Sequence, residues 1–171
     1  MTRYIDLLAE LLPIRRLQPY HRNAGKRLVK APKVHLRDSG IVHALLRIQD
    51  YNALAGYPVV GPSWEGFAME NLLAAAPEGS IAGFYRIFTG AEVDLVLEIP
   101  GQGIWAIQIT RGLGARPDKG FHIACEDLQV TQRFLVNSGK GRYPMGHGVE
   151  AVGLWELTSE LAGGQDRDQS R

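Results

Sequence analysis

The chain has 171 residues, of which 45% are hydrophobic and 22% are charged, with one cysteine and a net charge of +1 at pH 7. This length and apolar content suffice for one well-packed domain with a small appendage. A single cysteine, Cys125, excludes an internal disulfide framework, and no apolar run approaches the roughly 18 residues of a membrane-spanning helix. Because the N-terminus also lacks the apolar stretch of a secretory signal, we expect a soluble, cytoplasmic protein.

Charge is distributed unevenly along the chain. Residues 1–50 carry ten Lys and Arg against four Asp and Glu, a balance of +6, and the remainder carries nine against fourteen, a balance of −5. A basic segment beside an acidic body indicates a nucleic-acid-binding face or an intramolecular contact, with two solvated surfaces as the alternative. If the basic segment binds nucleic acid, the affinity should fall steeply with added salt. The candidate cations for this binding are Arg15, Arg16, Arg22, Lys26, Arg27 and Lys30.

The first 60 residues predict short elements that together resemble the remnant of a winged helix. Residues 5–12 predict a helix that Pro13 ends, and residues 17–27 predict a basic loop. Residues 33–37 alternate like a strand. Asp38 or Ser39 can then cap a helix. The apolar stripe of that helix consists of Ile41, Val42, Leu45 and Leu46.

Residues 61–161 predict an α/β core in the order helix, three strands, helix, strand. Ser63 is a suitable N-cap for the first helix, which places Glu65 in its first turn, and Pro77 ends that helix. The predicted strands and helices that follow are strands 81–88, 91–99 and 104–110, helix 121–128, strands 133–137 and 149–153, and helix 155–161. The strand after helix 121–128 can run parallel to the third strand, with that helix as the crossover. Residues 162–171 predict a disordered tail.

Alternation along two neighbouring strands locates the candidate chemistry. Glu92, Asp94 and Glu98 are predicted to share one face of their strand, opposite the apolar positions between them. On the next strand, Gln108 and Thr110 share a face. Because a short turn joins the two strands, Asp94 and Gln108 are expected to lie close together in a polar pocket.

Several separated motifs carry a family resemblance. They are KAPKVHLRDSG at 30–40, WEGFAME at 64–70, FYR at 84–86 and GAEVDLVLE at 90–98. In these motifs, and over residues 7–161, the chain resembles the C-terminal domain of unknown function found on prokaryotic AAA-superfamily ATPases. The resemblance implies a restriction-endonuclease-like core of the PD-(D/E)XK type. It also implies an ATPase domain, but the chain lacks a G-x-x-x-x-G-K-[S/T] phosphate loop and is therefore expected to be a detached or truncated C-terminal portion.

The resemblance also implies the layout of a nuclease site. In that layout, an acid on the first helix, an acid on the second strand and Glu-x-Lys on the third strand surround one or two divalent ions. By position, Glu65 (or Glu70) and Asp94 match the two acids and would be the metal ligands, while Gln108 and Thr110 occupy the Glu and Lys places. Gln108 offers only a neutral oxygen and Thr110 no positive charge, whereas Mg²⁺ prefers anionic oxygen ligands.

Substitute groups for the two missing residues can be named from the sequence. Glu92 or Glu98 could replace the acid, and Lys119 or Arg111 could move in as the cation. Losing one such group commonly lowers the rate by about 10²-fold to 10³-fold. The sequence therefore predicts a non-catalytic regulatory or interaction module, without a cofactor, that binds an ATPase domain, another protein or nucleic acid and no membrane. The alternative is a weak nuclease that cleaves DNA or RNA with Mg²⁺ or Mn²⁺.

Overall fold

The computed structural model describes residues 6–7, 9–11, 13–20 and 29–166. The strands in these residues are β1 (Ile14–Leu17), β2 (Lys33–Leu36), β3 (Ile81–Arg86), β4 (Glu92–Ile99), β5 (Gly103–Ile109), β6 (Gln132–Asn137), β7 (Arg142–Gly146) and β8 (Val149–Gly153). The helices are α1 (Ser39–Leu45), α2 (Tyr51–Ala55), α3 (Val60–Ala75), α4 (Lys119–Leu128) and α5 (Leu154–Asp166). None of the helices in the described ranges is long and apolar enough to cross a membrane.

Six strands form one mixed sheet in the order β3-β4-β5-β6-β8-β7. The first three are antiparallel neighbours joined by short turns, whereas β5, β6 and β8 run parallel and β7 is antiparallel at the edge. Helix α4 forms the crossover between β5 and β6, as the sequence predicted. The fold is therefore a mixed α/β fold, and the predicted order of helix, three strands, helix and strand is present from α3 to β6.

Helices cover both faces of this sheet. On one face, Leu95 packs in a cluster with Leu72 of α3 and Leu157 of α5. On the other face, Val96 packs in a second cluster with Phe121 of α4. A strand that is buried on both faces has no polar side to alternate with, which explains the nearly continuous apolar run in the second half of β4.

A β-bulge in β4 changes which side chains share a face. Gly83 pairs with Val96 and Tyr85 with Val93, so two steps along β3 match three steps along β4. Val93 and Val96 consequently both face α4. One extra residue moves every later side chain to the opposite face. The prediction that Glu98 shares a face with Asp94 is therefore wrong: Glu98 instead accepts a hydrogen bond from the Tyr20 hydroxyl at 2.5 Å.

The N-terminal segment packs along the sheet edge. Strand β1 pairs antiparallel with β2, and the chain then follows β3, where Tyr20 N donates to Phe84 O at 2.7 Å. Gly83 permits this close approach, since a Cβ there would lie 2.8 Å from Tyr20 Cβ. The loop predicted over 17–27 is thus extended and paired at its described residues, and residues 21–28 lie outside the described part of the chain.

Three other predictions need correction. Helix α3 begins at Val60, so Ser63 is inside the helix rather than its N-cap, and Glu65 is in the second turn rather than the first. Pro62 is compatible with this early start because the first helical turn needs no backbone N–H donors. Strand β7 was missed because it contains Pro144, which only an edge strand tolerates. Helix α5 extends to Asp166, so the tail predicted to be disordered from residue 162 is helical over 162–166.

Helix α1 has the predicted cap but an unexpected environment. Asp38 is the N-cap, and its carboxylate accepts a hydrogen bond from Gly40 N at 2.7 Å. None of the side chains of α1 is buried, and Leu45 is 73% exposed. The apolar stripe of α1 therefore does not contribute to the described core.

Candidate functional site

Lys33, the first residue of β2, lies among three carboxylates. Its Nζ atom is 3.3 Å from Glu65 Oε1, 3.2 Å from Glu92 Oε1 and 3.1 Å from Asp94 Oδ1. Helix α3 supplies the first of these acids, and the start of β4 supplies the other two. The ammonium donates hydrogen bonds to Glu65 and Asp94 and forms an ion pair with Glu92. We call these four side chains the Lys33 cluster.

Asp94 is buried and satisfied on both carboxylate oxygens. Its Oδ2 accepts hydrogen bonds from Ile109 N at 3.0 Å and Gln108 Nε2 at 2.5 Å, while Lys33 contacts Oδ1. The ladder between β4 and β5 ends at the pair Leu95–Ile107. Beyond that pair, the Asp94 carboxylate accepts the hydrogen bond of a β5 backbone N–H that has no backbone partner on β4. Asp94 also lies next to Gln108, as the sequence predicted.

Burial and charge oppose each other in this cluster. Burial lowers the pKa of Lys33, but the carboxylates of Asp94, Glu65 and Glu92 outweigh it and raise that pKa above its ordinary value. Burial raises the pKa of Asp94 against the opposing effect of the Lys33 ammonium. Arg86 adds a second cation, with Nε 3.4 Å from Glu92 Oε2. Two cations face three carboxylates, which leaves a surplus of one acidic group.

The predicted site residues are only partly brought together. Glu65, Asp94 and Gln108 meet in the cluster, and Glu92 joins them. Thr110 does not: its hydroxyl accepts from Gly112 N at 3.3 Å, and its carbonyl accepts from Trp64 Nε1 at 2.9 Å. Of the suggested replacement cations, neither Arg111 nor Lys119 pairs with Asp94 in the described part of the chain.

A divalent metal ion does not fit this arrangement. The carboxylates are the hard oxygen ligands that Mg²⁺ prefers. The Lys33 ammonium, however, already occupies the position between them at hydrogen-bonding distance. Across the described residues, no group of three or more His, Cys, Asp or Glu side chains is arranged to hold a metal ion.

Sequence reasoning missed Lys33, although a signal was present. Lys33 and His35 alternate along β2 and Arg37 follows directly after it, so the alternation places the three side chains on one face. That face meets α3, which carries Glu65 and Glu70 five residues apart. The alternating cations and the acids of the helix were therefore visible in the sequence, whereas their contact across 32 residues was not.

Glu70 forms a second cluster, separate from Asp94. The Arg15 guanidinium binds both Glu70 oxygens, with Nη2 2.9 Å from Oε2. His35 Nε2 lies 3.1 Å from Oε1 and Arg37 Nε 3.0 Å from Oε2. Burial raises the pKa of Glu70, but hydrogen bonds from Arg15 and Arg37 outweigh it and lower that pKa below its usual value. We call these four side chains the Glu70 cluster.

The cations expected to bind nucleic acid have different environments. Arg15 pairs with Glu70, and Arg16 pairs with Asp6. Lys30 is exposed. The remaining three, Arg22, Lys26 and Arg27, lie outside the described residues.

A small cleft gives access to the Lys33 cluster. It has a volume of about 180 Å³ and lies between β2 and the start of α3, lined in part by Lys33, His35, Glu65 and Met69. The Lys33 side chain is 23% exposed. Solvent therefore reaches one side of the cluster.

The fold and the site together define a mixed α/β domain in which three carboxylates surround one lysine at the sheet. The model of a family described as Domain of unknown function (DUF4143) matches residues 60–157, and the chain belongs to that family. A second model, Domain of unknown function (DUF8612), matches residues 1–52.

Two curated relatives are similar over most of the chain. They are uncharacterized proteins of Mycobacterium tuberculosis and Mycobacterium bovis, each 36% identical over 150 residues. The match covers 88% of this chain but 34% of each relative, so the chain spans about a third of their length. No solved structure matches.

Proposed function

We propose that this chain is a non-catalytic regulatory or interaction module whose core retains the layout of a metal-dependent nuclease. The observation that carries this proposal is the Lys33 ammonium, 3.1 to 3.3 Å from the carboxylates of Glu65, Glu92 and Asp94. An internal cation thus neutralises acids that, in a nuclease, would face a metal ion.

The chemistry of an ammonium group explains why such a site is inactive. A metal ion accepts lone pairs from water and from a phosphate oxygen, and it lowers the pKa of the bound water to generate a nucleophile. An ammonium group can neutralise charge but cannot coordinate water. Gln108 adds no negative charge beside Asp94, and the Thr110 side chain points to Gly112 instead. The four side chains therefore stabilise the fold rather than activate water.

The nuclease-like origin is part of the same proposal. A helix that carries Glu65, three strands with Asp94 on the second, a crossover helix and a parallel strand follow one another in the order that the resemblance implies. The site lies where β4 and β5 separate, and it contains the two acids that the motif expects. These features support a degenerate member of that class.

The partner that we propose is an ATPase domain, in line with the resemblance to domains attached to AAA-superfamily ATPases. The curated relatives are about three times as long as the matched segment, so they have room for a further domain. Helix α1 exposes Ile41 at 42%, Leu45 at 73% and, at its C-cap, Leu46 at 40%. Exposed apolar side chains on one short helix are typical of a protein contact surface. We therefore assign the partner's contact to α1.

The partner assignment can be tested by coexpression with a P-loop ATPase encoded beside this chain's gene. We expect a complex that Leu45→Glu disrupts and Leu113→Glu preserves, since Leu113 is 62% exposed on another element, the loop after β5. Equal complex formation by both variants would exclude α1 as the contact surface.

A weak metal-dependent nuclease is the second candidate. It is favoured by the 3.1 Å contact between Lys33 Nζ and Asp94 Oδ1, because Lys33 supplies the cation that Thr110 lacks. This candidate requires the Lys33 side chain to leave its present position before Mg²⁺ or Mn²⁺ can reach Glu65, Glu92 and Asp94.

A cleavage assay separates the two candidates. The purified protein is incubated with labelled single-stranded and double-stranded DNA and RNA in Mg²⁺ or Mn²⁺, beside Glu65→Gln and a matched control, Glu78→Gln. Glu78 is exposed just after α3 and is not part of the cluster. We expect no cleavage above the blank in any sample. Cleavage that the Glu65 variant loses and the Glu78 variant retains would establish the nuclease.

A further inference from the structure

A second cavity lies on the other side of the sheet, beside α4. It has a volume of about 280 Å³ and is formed by the loop after β5, by α4 and by the hairpin between β7 and β8. Its main lining residues are Arg116, Pro117, His122, Met145, His147 and Val149. We call it the Arg116 pocket.

The polar side chains that line the Arg116 pocket all carry hydrogen-bond donors. Arg116 contributes a guanidinium group, which stays charged at all physiological pH values. The rings of His122 and His147 lie with their centres 5.4 Å apart, and each carries at least one N–H donor. No carboxylate lines the cavity, and within the described ranges no Asp or Glu pairs with Arg116. Among the described residues, the Arg116 guanidinium therefore remains available to an external anion.

Hydrogen bonds fix both walls of the pocket. Arg133 Nη1 donates to the carbonyl of His147 at 3.1 Å, which ties the hairpin tip to β6. On the loop side, the Tyr143 hydroxyl donates to Leu113 O at 3.3 Å, and Ser138 Oγ donates to Arg111 O at 2.7 Å. These bonds hold the backbone of the hairpin tip and of the loop before Arg116, whereas the side chains of Arg116 and His147 are themselves exposed.

The hairpin tip presents His147 from an unfavourable backbone conformation. Its φ of +49° is in the left-handed region, between Gly146 at +88° and Gly148 at +70°. A positive φ is uncommon outside glycine, although histidine adopts it more often than most residues do. The backbone of the hairpin tip thus places His147 at the wall of the pocket.

We propose that the Arg116 pocket binds the phosphate group of a small phosphomonoester. Arg116 supplies the charge and a forked set of N–H donors, and His122 and His147 donate to the remaining oxygens. Pro117, Met145 and Val149 provide apolar contacts for the organic part. The volume of about 280 Å³ is just below the usual range for small-molecule sites, which limits the ligand to a compact one. This site is independent of the Lys33 cluster.

Calorimetric titration with phenyl phosphate tests the proposal. We expect one molecule bound per chain and a loss of affinity of about tenfold or more in Arg116→Gln, because a charge-assisted pair of hydrogen bonds disappears. Arg111→Gln is the matched control, since Arg111 is exposed on the same loop and does not line the pocket. His147→Asn removes the imidazole while keeping a residue suited to positive φ, and it should also weaken binding.

Three results would overturn the assignment. They are no binding of phenyl phosphate by the unmodified chain, equal affinities of the Arg116 and Arg111 variants, and equal affinity for the diester methyl phenyl phosphate. The diester comparison separates a terminal phosphate group from the phosphodiester of a nucleic-acid backbone.

Discussion

Two ionic clusters with opposite charge balances join the antiparallel strands β1 and β2, here called the β1–β2 hairpin, to helix α3. In the Glu70 cluster, one carboxylate on α3 is held by Arg15, His35 and Arg37 from the β1–β2 hairpin. In the Lys33 cluster, one ammonium group from that hairpin is held by three carboxylates of α3 and β4. The first has an excess of cationic groups, and the second has an excess of acids.

The two charge balances call for different explanations. Glu70 needs only one or two cations to be satisfied, so its cluster explains how the hairpin is fixed to α3. Three carboxylates around one lysine are more than a structural ion pair requires, because like charges in one site repel each other. The crowding of Glu65, Glu92 and Asp94 is better explained by the nuclease-like layout that we propose, with Lys33 as its internal counter-ion.

The largest expected effect is that of Lys33→Met on stability. Removing the ammonium leaves a partly buried group of acids without their main counter-ion, and we expect the free energy of unfolding to fall by about 3 kcal/mol. Urea denaturation measures this change. Lys30→Met is the control, since Lys30 is exposed three residues earlier and should change stability by less than about 0.5 kcal/mol. Equal stabilities of the two variants would contradict the account.

A smaller loss of stability is expected for Glu70→Gln. The amide keeps the shape of the side chain but loses the charge that Arg15 and Arg37 contact, so the free energy of unfolding should fall by about 2 kcal/mol. Glu78→Gln provides the comparison, because Glu78 is exposed. If both changes had the same effect, the Glu70 cluster would not be what fixes the hairpin.

The pH dependence of stability tests the contribution of the Glu70 cluster. The pKa of Glu70 is lowered in the folded chain, so its contribution is complete above pH 4.5 and disappears as the pH falls through the lower, folded-state pKa. Urea denaturation between about pH 3 and pH 6 should therefore show a shallower acid-side loss in Glu70→Gln than in the unmodified chain. Parallel curves would argue against this carboxylate as a source of acid sensitivity.

The smallest effect concerns nucleic-acid binding. Because Arg15 is committed to Glu70, Arg15→Gln should change the affinity for a DNA duplex at low salt by less than about twofold. Fluorescence anisotropy measures it, with Lys30→Gln as the comparison. A much larger loss in the Arg15 variant would show that this guanidinium leaves Glu70 to contact phosphate.

Local patterns predicted most of the core, and long-range contacts explain what they missed. Five of the six strands of the central sheet were predicted to within two residues because apolar runs end at Gly and Pro turns, and only β7 was missed. Asp94 and Gln108, 14 residues apart across one short turn, were also placed together correctly. Lys33 is 61 residues from Asp94, and alternation within β2 does not reveal which element its charged face will meet.

The bulge in β4 shows a second limit of sequence patterns. No residue type near Asp94 marks an extra residue, yet the shift in register moves Glu98 to the opposite face. Strict alternation therefore predicted a substitute acid that the fold does not supply. Glu92, which precedes the bulge, is on the predicted face and does join the cluster.

Calorimetric titration with Mn²⁺ tests the central claim most directly, namely that Lys33 takes the position of a cation among Glu65, Glu92 and Asp94. The account predicts no binding at millimolar Mn²⁺ by the unmodified chain. It also predicts one bound ion in Lys33→Met, lost again when Asp94→Asn is added. Binding of Mn²⁺ by the unmodified chain with the same affinity as by Lys33→Met would contradict it.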